Sequence, residues 1–146
     1  RMITVKQMLE EKGHEVWTIS PEATVYEALK IMADKDIGAL IVVKNGQVAG
    51  IISERDYARK VMLKGKSSLE TPVKDIMSTE IYYVGPEATA EECMALMTEK
   101  RIRHLPVMEN GKLTGVISIG DVVKSIISTQ KVTIEHLQNY IMGKYQ

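Results

Sequence analysis

Gly50-Ile51-Ile52-Ser53-Glu54-Arg55-Asp56 returns 65 residues on as Gly115-Val116-Ile117-Ser118-Ile119-Gly120-Asp121. Working outward, the same offset relates Ser20-Pro21-Glu22-Ala23-Thr24-Val25-Tyr26-Glu27 to Gly85-Pro86-Glu87-Ala88-Thr89-Ala90-Glu91-Glu92, and Asn45-Gly46 to Asn110-Gly111. The lead-ins also match, Val5-Lys6-Gln7-Met8-Leu9 against Val73-Lys74-Asp75-Ile76-Met77, but at an offset of 68. Copy one therefore carries three extra residues before its first strand, around Lys12-Gly13-His14. An internal repeat of this kind decides the architecture before any single element does.

Each copy reads as β-α-β-β-α. Glu15–Ile19 and Ile81–Val84 are short, β-branched or aromatic, and stop before a proline turn, which suggests strands. Thr24-x-x-Glu27 and Thr89-x-x-Glu92 are capping boxes that open helices. Behind them Val25, Ala28, Leu29 and Met32, or Ala90, Cys93, Met94 and Met97, recur at helical spacing and form a core-facing stripe. Ala39–Val43 and Leu105–Met108 are apolar runs of the kind that buried strands show. Asn-Gly closes a hairpin in each copy because both turn positions need positive φ. Gln47–Ser53 and Lys112–Ser118 return, and Ser53-x-x-Asp56 and Ser118-x-x-Asp121 open second helices. Ala58, Val61 and Met62, or Val122, Ile126 and Ile127, are expected to point inward there. The expected layout is copy one at 1–64, a polar linker at 65–72, copy two at 73–128 and an amphipathic helix at 129–146 spaced by Ile134, Leu137 and Ile141. The linker is short, so one shared core is expected.

The chain has 146 residues and 19 acids against 19 bases, so it carries no net charge that would favour nucleic acid. Hydrophobic residues at 45% place it among globular chains, and no apolar run is long enough to span a membrane. The first residues lack a signal-peptide core. One cysteine, Cys93, excludes an internal disulfide and a cysteine-rich zinc site, and the expected compartment is the reducing cytoplasm.

Two readings fit the Ser-x-x-Asp ends. A helix N-terminus offers free N–H groups and partial positive charge to a phosphate, a serine hydroxyl adds a donor, and an aspartate one turn on can accept from a ribose diol. The same four residues also make a capping box that needs no ligand. The other candidates divide in the same way. Trp17 is a packing residue or a ligand-stacking platform. His104 is a capping histidine or a ligand contact. Lys12 and Arg59 read as solvated charges within reach of a polyphosphate. Cys93 lies on the apolar stripe and reads as an inert buried thiol. His14, His104 and His136 show no metal spacing. Catalysis has no support: there is no nucleophile elbow, phosphate-binding loop lysine or dinucleotide fingerprint.

The repeat, its Gly-h-h-Ser-x-x-Asp endings and Ile102-Arg103-His104-Leu105-Pro106-Val107 resemble a tandem pair of cystathionine-β-synthase (CBS) domains, the Bateman module, from about Val5 to Ser128. Lys12-Gly13, Val16-Trp17-Thr18-Ile19 and Ser53-Glu54-Arg55-Asp56-Tyr57 are similar to small stand-alone two-CBS proteins of bacteria and plant organelles. The resemblance implies an α/β fold of two copies packed with pseudo-twofold symmetry, plus a short N-terminal helix and the C-terminal one. It implies a non-catalytic sensor with two clefts between the copies for adenine nucleotides. AMP, ADP, ATP, NAD(H) and S-adenosylmethionine share the adenosine such a cleft would hold, and no metal is implied. One cleft would draw on Ser53, Arg55, Asp56, Tyr82, Val84, Arg103, His104 and Pro106. The other would draw on Ser118, Asp121, Trp17, Ile19, Gly38 and Ala39. Arg55 is matched by Gly120, and Arg103-His104 by Gly38-Ala39, so the first cleft is expected to be more cationic. Ile41 stands where Pro106 would, which departs from the family pattern in copy one. A homodimer acting on a protein target in trans is also implied, with no nucleic acid or membrane partner. A ligand-free scaffold that uses the fold to dimerise is the alternative.

Overall fold

The computed structural model describes residues 2–129 and Gln138. The expected 129–146 helix therefore lies, beyond its first residue, outside the described residues apart from Gln138. The described chain runs α1 (Val5–Lys12), β1 (Thr18–Ile19), α2 (Val25–Lys35), β2 (Ala39–Lys44), β3 (Gln47–Ser53), α3 (Glu54–Tyr57), α4 (Ala90–Lys100), β4 (His104–Glu109), β5 (Lys112–Ser118) and α5 (Ile119–Thr129). A π-turn, Ala58–Met62, continues α3, and a 3₁₀ turn, Val73–Asp75, opens copy two.

The chain divides into two compact units, 16–82 and 1–15 with 83–146. Each unit holds one copy's helices and hairpin together with the other copy's lead-in. In the first unit Val73 and Ile76 join a core of Ile19, Val25, Ala28, Met32, Leu40, Val42, Ile52 and Val61. In the second, Val5, Met8 and Leu9 of α1 are buried, as are Ala90, Cys93, Met97, Leu105, Val107, Ile117 and Val122. Backbone bonds fix each exchanged lead-in. Val73 N–H donates to Ala23 at 2.7 Å, and Val5 N–H to Ala88 at 2.7 Å.

The copies agree element by element. Thr24 with Glu27, and Thr89 with Glu92, form complete capping boxes at the starts of α2 and α4. Both helices end on a left-handed residue, Asp36 and Arg101. Strand β2 pairs antiparallel with β3, and β4 with β5, each with a register shift at the matching place, Val42/Val43 and Val107/Met108. The hairpin turns have φ of 52° and 77° at Asn45-Gly46 and 51° and 77° at Asn110-Gly111, the two-residue turn that Asn-Gly favours.

Two local expectations fail for identifiable reasons. The first strands are shorter than Glu15–Ile19 and Ile81–Val84. In copy one, Thr18–Ile19 pairs parallel with Ile41–Val42, helped by the Ile41 N–H donating to Trp17. Pro106 stands at the matching place in copy two and has no N–H to give. Pairing there contracts to one bridge, Val84 with Val107. Secondly, Ala58 is exposed and Met62 is 60% exposed, although Val61 is fully buried. The π-turn, closed by Leu63 N–H to Ala58 O, adds a residue to that turn and takes the stripe out of helical phase.

Candidate functional site

The motif glycines are explained by packing. A Cβ on Gly50 would lie 2.7 Å from Met77 Sδ and 2.8 Å from the Ser78 carbonyl, and one on Gly115 would lie 2.6 Å from Leu9 Cδ2. The exchanged lead-in presses against β3 or β5 at that point, so the motif opens on a residue without a side chain. Three residues further on the strand ends, and at the fourth the helix begins.

At that junction the structure forms the same box twice. Ser53 N–H donates to Asp56 Oδ2 at 2.9 Å, and Asp56 N–H to Ser53 Oγ at 3.2 Å. Ser118 N–H donates to Asp121 Oδ2 at 2.9 Å, and Asp121 N–H to Ser118 Oγ at 3.2 Å. The capping reading is therefore realised in both copies. Each carboxylate also has a cation. Lys60 Nζ lies 3.1 Å from Asp56 Oδ1, and Lys12 Nζ lies 2.6 Å from Asp121 Oδ2. Lys12, expected to be a solvated charge, is thus bonded within the fold.

The start of the central strand lies beside each box. Gly38 O accepts from Glu54 N–H at 3.1 Å, and Ala39 pairs with Ser53. Arg103 O accepts from Ile119 N–H at 2.8 Å, and His104 pairs with Ser118. Trp17 is half-buried against the first unit's core with the Lys35 ammonium 4.3 Å over its ring, and Ile19 is buried in that core. Val84 N–H donates to the buried Pro106 at 3.1 Å. Tyr82 donates to the Glu80 carboxylate, and Arg55 lies half-buried on α3. So Trp17, Ile19, Gly38, Ala39, Ser53, Arg55, Asp56 and Tyr82 share one unit. Val84, Arg103, His104, Pro106, Ser118 and Asp121 share the other. Each of the two expected ligand groups draws on both.

The electrostatics differ from an ordinary surface at the second box. Burial works to raise the Asp121 carboxyl, but the Lys12 ammonium and the Ser118 N–H and hydroxyl outweigh it and hold the group below its usual range. His104 is held below the ordinary imidazole value, first by burial and then by the positive charge of Lys12, against the pull of Asp121. Such a site offers a carboxylate for hydroxyl donors and an ammonium for an anion. Among the described residues no cluster of His, Cys, Asp or Glu could hold a metal ion, and no helix is long and apolar enough to cross a membrane.

The family model described as CBS domain matches this chain twice, over residues 5–63 and 73–128. The chain is a CBS-domain pair. Its sequence is 40% identical over 152 residues to the mitochondrial CBS domain-containing protein CBSX3 of Arabidopsis thaliana, covering 97% of this chain and 73% of that one. A putative signal-transduction protein with CBS domains from Burkholderia ambifaria superposes with a TM-score of 0.85 at 52% identity, covering 90% of this chain and 99% of that one. The CBS domain pair of protein MJ0100, solved in complex with 5′-methylthioadenosine and S-adenosylmethionine, has a TM-score of 0.78. It is 21% identical, covering 88% of this chain and 99% of that one, and shares the fold. The family match follows chain order, whereas the compact units exchange lead-ins. The exchange is the feature that sequence reasoning missed. The box spacing was readable, but Lys12 at Asp121 depends on the exchange.

Proposed function

We propose that this CBS-domain pair is a non-catalytic sensor that binds an adenine nucleotide, AMP, ADP, ATP or NAD(H), at its Ser-x-x-Asp ends. Ligand binding changes the geometry of the copies or of a homodimer and so acts on a protein target. The observation that carries the reading is the duplicated junction itself. In each unit a hydroxyl, a carboxylate, a lysine and a helix start converge beside a strand start. That set matches the hydrogen-bonding and charge needs of a ribose-phosphate. An adenosine-type ligand in the MJ0100 pair supports the choice of class. Asp56 and Asp121 would take the ribose, Ser53 and Ser118 the phosphate side, and Arg55, Arg103 and His104 further polar contacts. Trp17, Ile19, Tyr82, Val84, Gly38, Ala39 and Pro106 would flank the base.

A second reading, a scaffold that dimerises without ligand, is favoured by one observation. Both boxes close on themselves, each serine hydroxyl accepting from a backbone N–H and each aspartate bonded to a backbone N–H and a lysine. Calorimetric titration of nucleotide-stripped protein with AMP, ADP, ATP and NADH separates the two. A saturable isotherm near micromolar affinity, about −8 kcal/mol, supports the sensor. No heat with any of the four, together with no thermal shift, supports the scaffold. Sedimentation with and without nucleotide reads the dimer and its response.

A further inference from the structure

The two boxes are alike in their caps and unlike in the source of their counter-charge. Asp56 is paired by Lys60, four residues on in its own helical segment, and Lys60 Nζ also donates to Ile76 O at 3.0 Å. At the repeat offset, the counterpart of Lys60 is Ser125, and Lys124, one place earlier, is exposed. Asp121 is paired instead by Lys12 from α1, whose Nζ also donates to Val116 O at 3.0 Å. Lys12 ends α1, and at the lead-in offset of 68 its counterpart is Glu80, an acid. The exchanged lead-in thus supplies the counter-charge of Asp121. The Lys12 side chain keeps 37% of its surface and Asp121 24%, so both remain open to a ligand.

At Asp121 the Lys12 ammonium and the Ser118 N–H both sit on Oδ2, so a ribose diol on Oδ1 leaves that pair in place. A phosphate on the same ligand then gives Lys12 an anionic partner that a neutral nucleoside lacks. At Asp56 both oxygens are engaged, Oδ2 by Ser53 and Oδ1 by Lys60. We propose that Lys12 is the specificity-determining residue of the Asp121 site, selecting adenosine ligands that carry a phosphate over neutral ones. This inference rests on the adenine-nucleotide reading.

The test is calorimetry of stripped protein with AMP and with adenosine, in wild type, Lys12→Met, Lys12→Arg and Asp121→Asn. Each is measured in an Asp56→Asn background, so that the Asp121 site reports alone. Wild type is expected to prefer AMP. Lys12→Met is expected to lower AMP affinity about tenfold to a hundredfold, the scale of a hydrogen bond to a charged group, and to leave adenosine unchanged or tighter. Lys12→Arg is expected to keep the preference, and the Lys12→Met effect should vanish when Asp121→Asn is added. An unchanged AMP-to-adenosine ratio in Lys12→Met, folded by its melting curve, overturns the inference alone. Wild-type protein that binds neither compound overturns the nucleotide reading, and this inference with it.

Discussion

Leu9 closes on Gly115 so tightly that a single added methyl group would stand 2.6 Å from Leu9 Cδ2. Leu9 is 2% exposed and sits on the lead-in of copy one, whereas Gly115 lies on the returning strand of copy two. Gly115→Ala should therefore destabilise by overpacking, at about 1–3 kcal/mol, read as a lower urea midpoint. The signature lies in the pair. Leu9→Ala alone should cost about 2–5 kcal/mol through its cavity, and the double variant should cost clearly less than the sum, because the alanine methyl enters the space the leucine left. Strict additivity would mean that the two residues do not share that space.

Cys93 is fully buried on the stripe of α4, and burial, with the Glu92 charge behind it, pushes its thiol up to about 11. At pH 8 the native thiol is both protonated and covered. Labelling by a thiol reagent should then be slow in native protein and complete once urea unfolds it, since the thiolate is the reacting species. Rapid native labelling would show that α4 opens from its core far more readily than its packing implies.

The Thr89 box holds the start of α4 through Glu92 N–H to Thr89 Oγ1 at 3.1 Å and Thr89 N–H to Glu92 Oε1 at 3.0 Å. Thr89→Ala removes an acceptor for a helix N–H and should cost about 0.5–2 kcal/mol. Thr89→Ser should restore most of it in the same melting experiment. The position faces no ligand in the proposed function, so AMP affinity should not move. That contrasts with Asp121→Asn, which keeps a capping oxygen but should weaken AMP.

The parts of this fold that the sequence makes legible are local. Thr24-x-x-Glu27 bonds across three residues, Asn45-Gly46 adopts positive φ on its own account, and Val25, Ala28 and Met32 share a face by spacing alone. The N-terminal box was equally local but went unread: Thr4 and Gln7 cap α1 as the other pairs cap α2 and α4. The exchange of lead-ins is different in kind. Val73 and Ile76 look equally apolar whichever copy they cover, so composition cannot say which core receives them. The same blindness extends to the candidate site. Ser118 and Asp121 could be named from their spacing, while Lys12 lies 109 residues from Asp121 and meets it only because α1 packs on β5. The contraction of the Ile81–Val84 pairing to one bridge is legible in principle, since Pro106 has no N–H to offer.

His104 makes the second box sensitive to pH. Its imidazole is held below the 6.5 of a free side chain, by burial first and by Lys12 and Arg103 behind it, with Asp121 pulling the other way. A depressed folded value means that the unfolded chain binds the proton more readily than the native one. Stability from this group is therefore present in full above pH 6.5 and is lost as the pH falls from there through the lower folded value. Asp121 acts in a separate window. Its carboxyl is also depressed, so its contribution persists until the pH falls below the ordinary 3.8 and is lost only through the lower folded value. Unfolding free energy, followed by urea titration from pH 7.5 to 5, should decline in wild type. His104→Gln, which keeps a polar side chain without the titration, should flatten the decline by the share His104 carries. An identical slope in wild type and His104→Gln would show that the native imidazole takes its proton as readily as the unfolded one, and that Lys12 and burial do not bear on it.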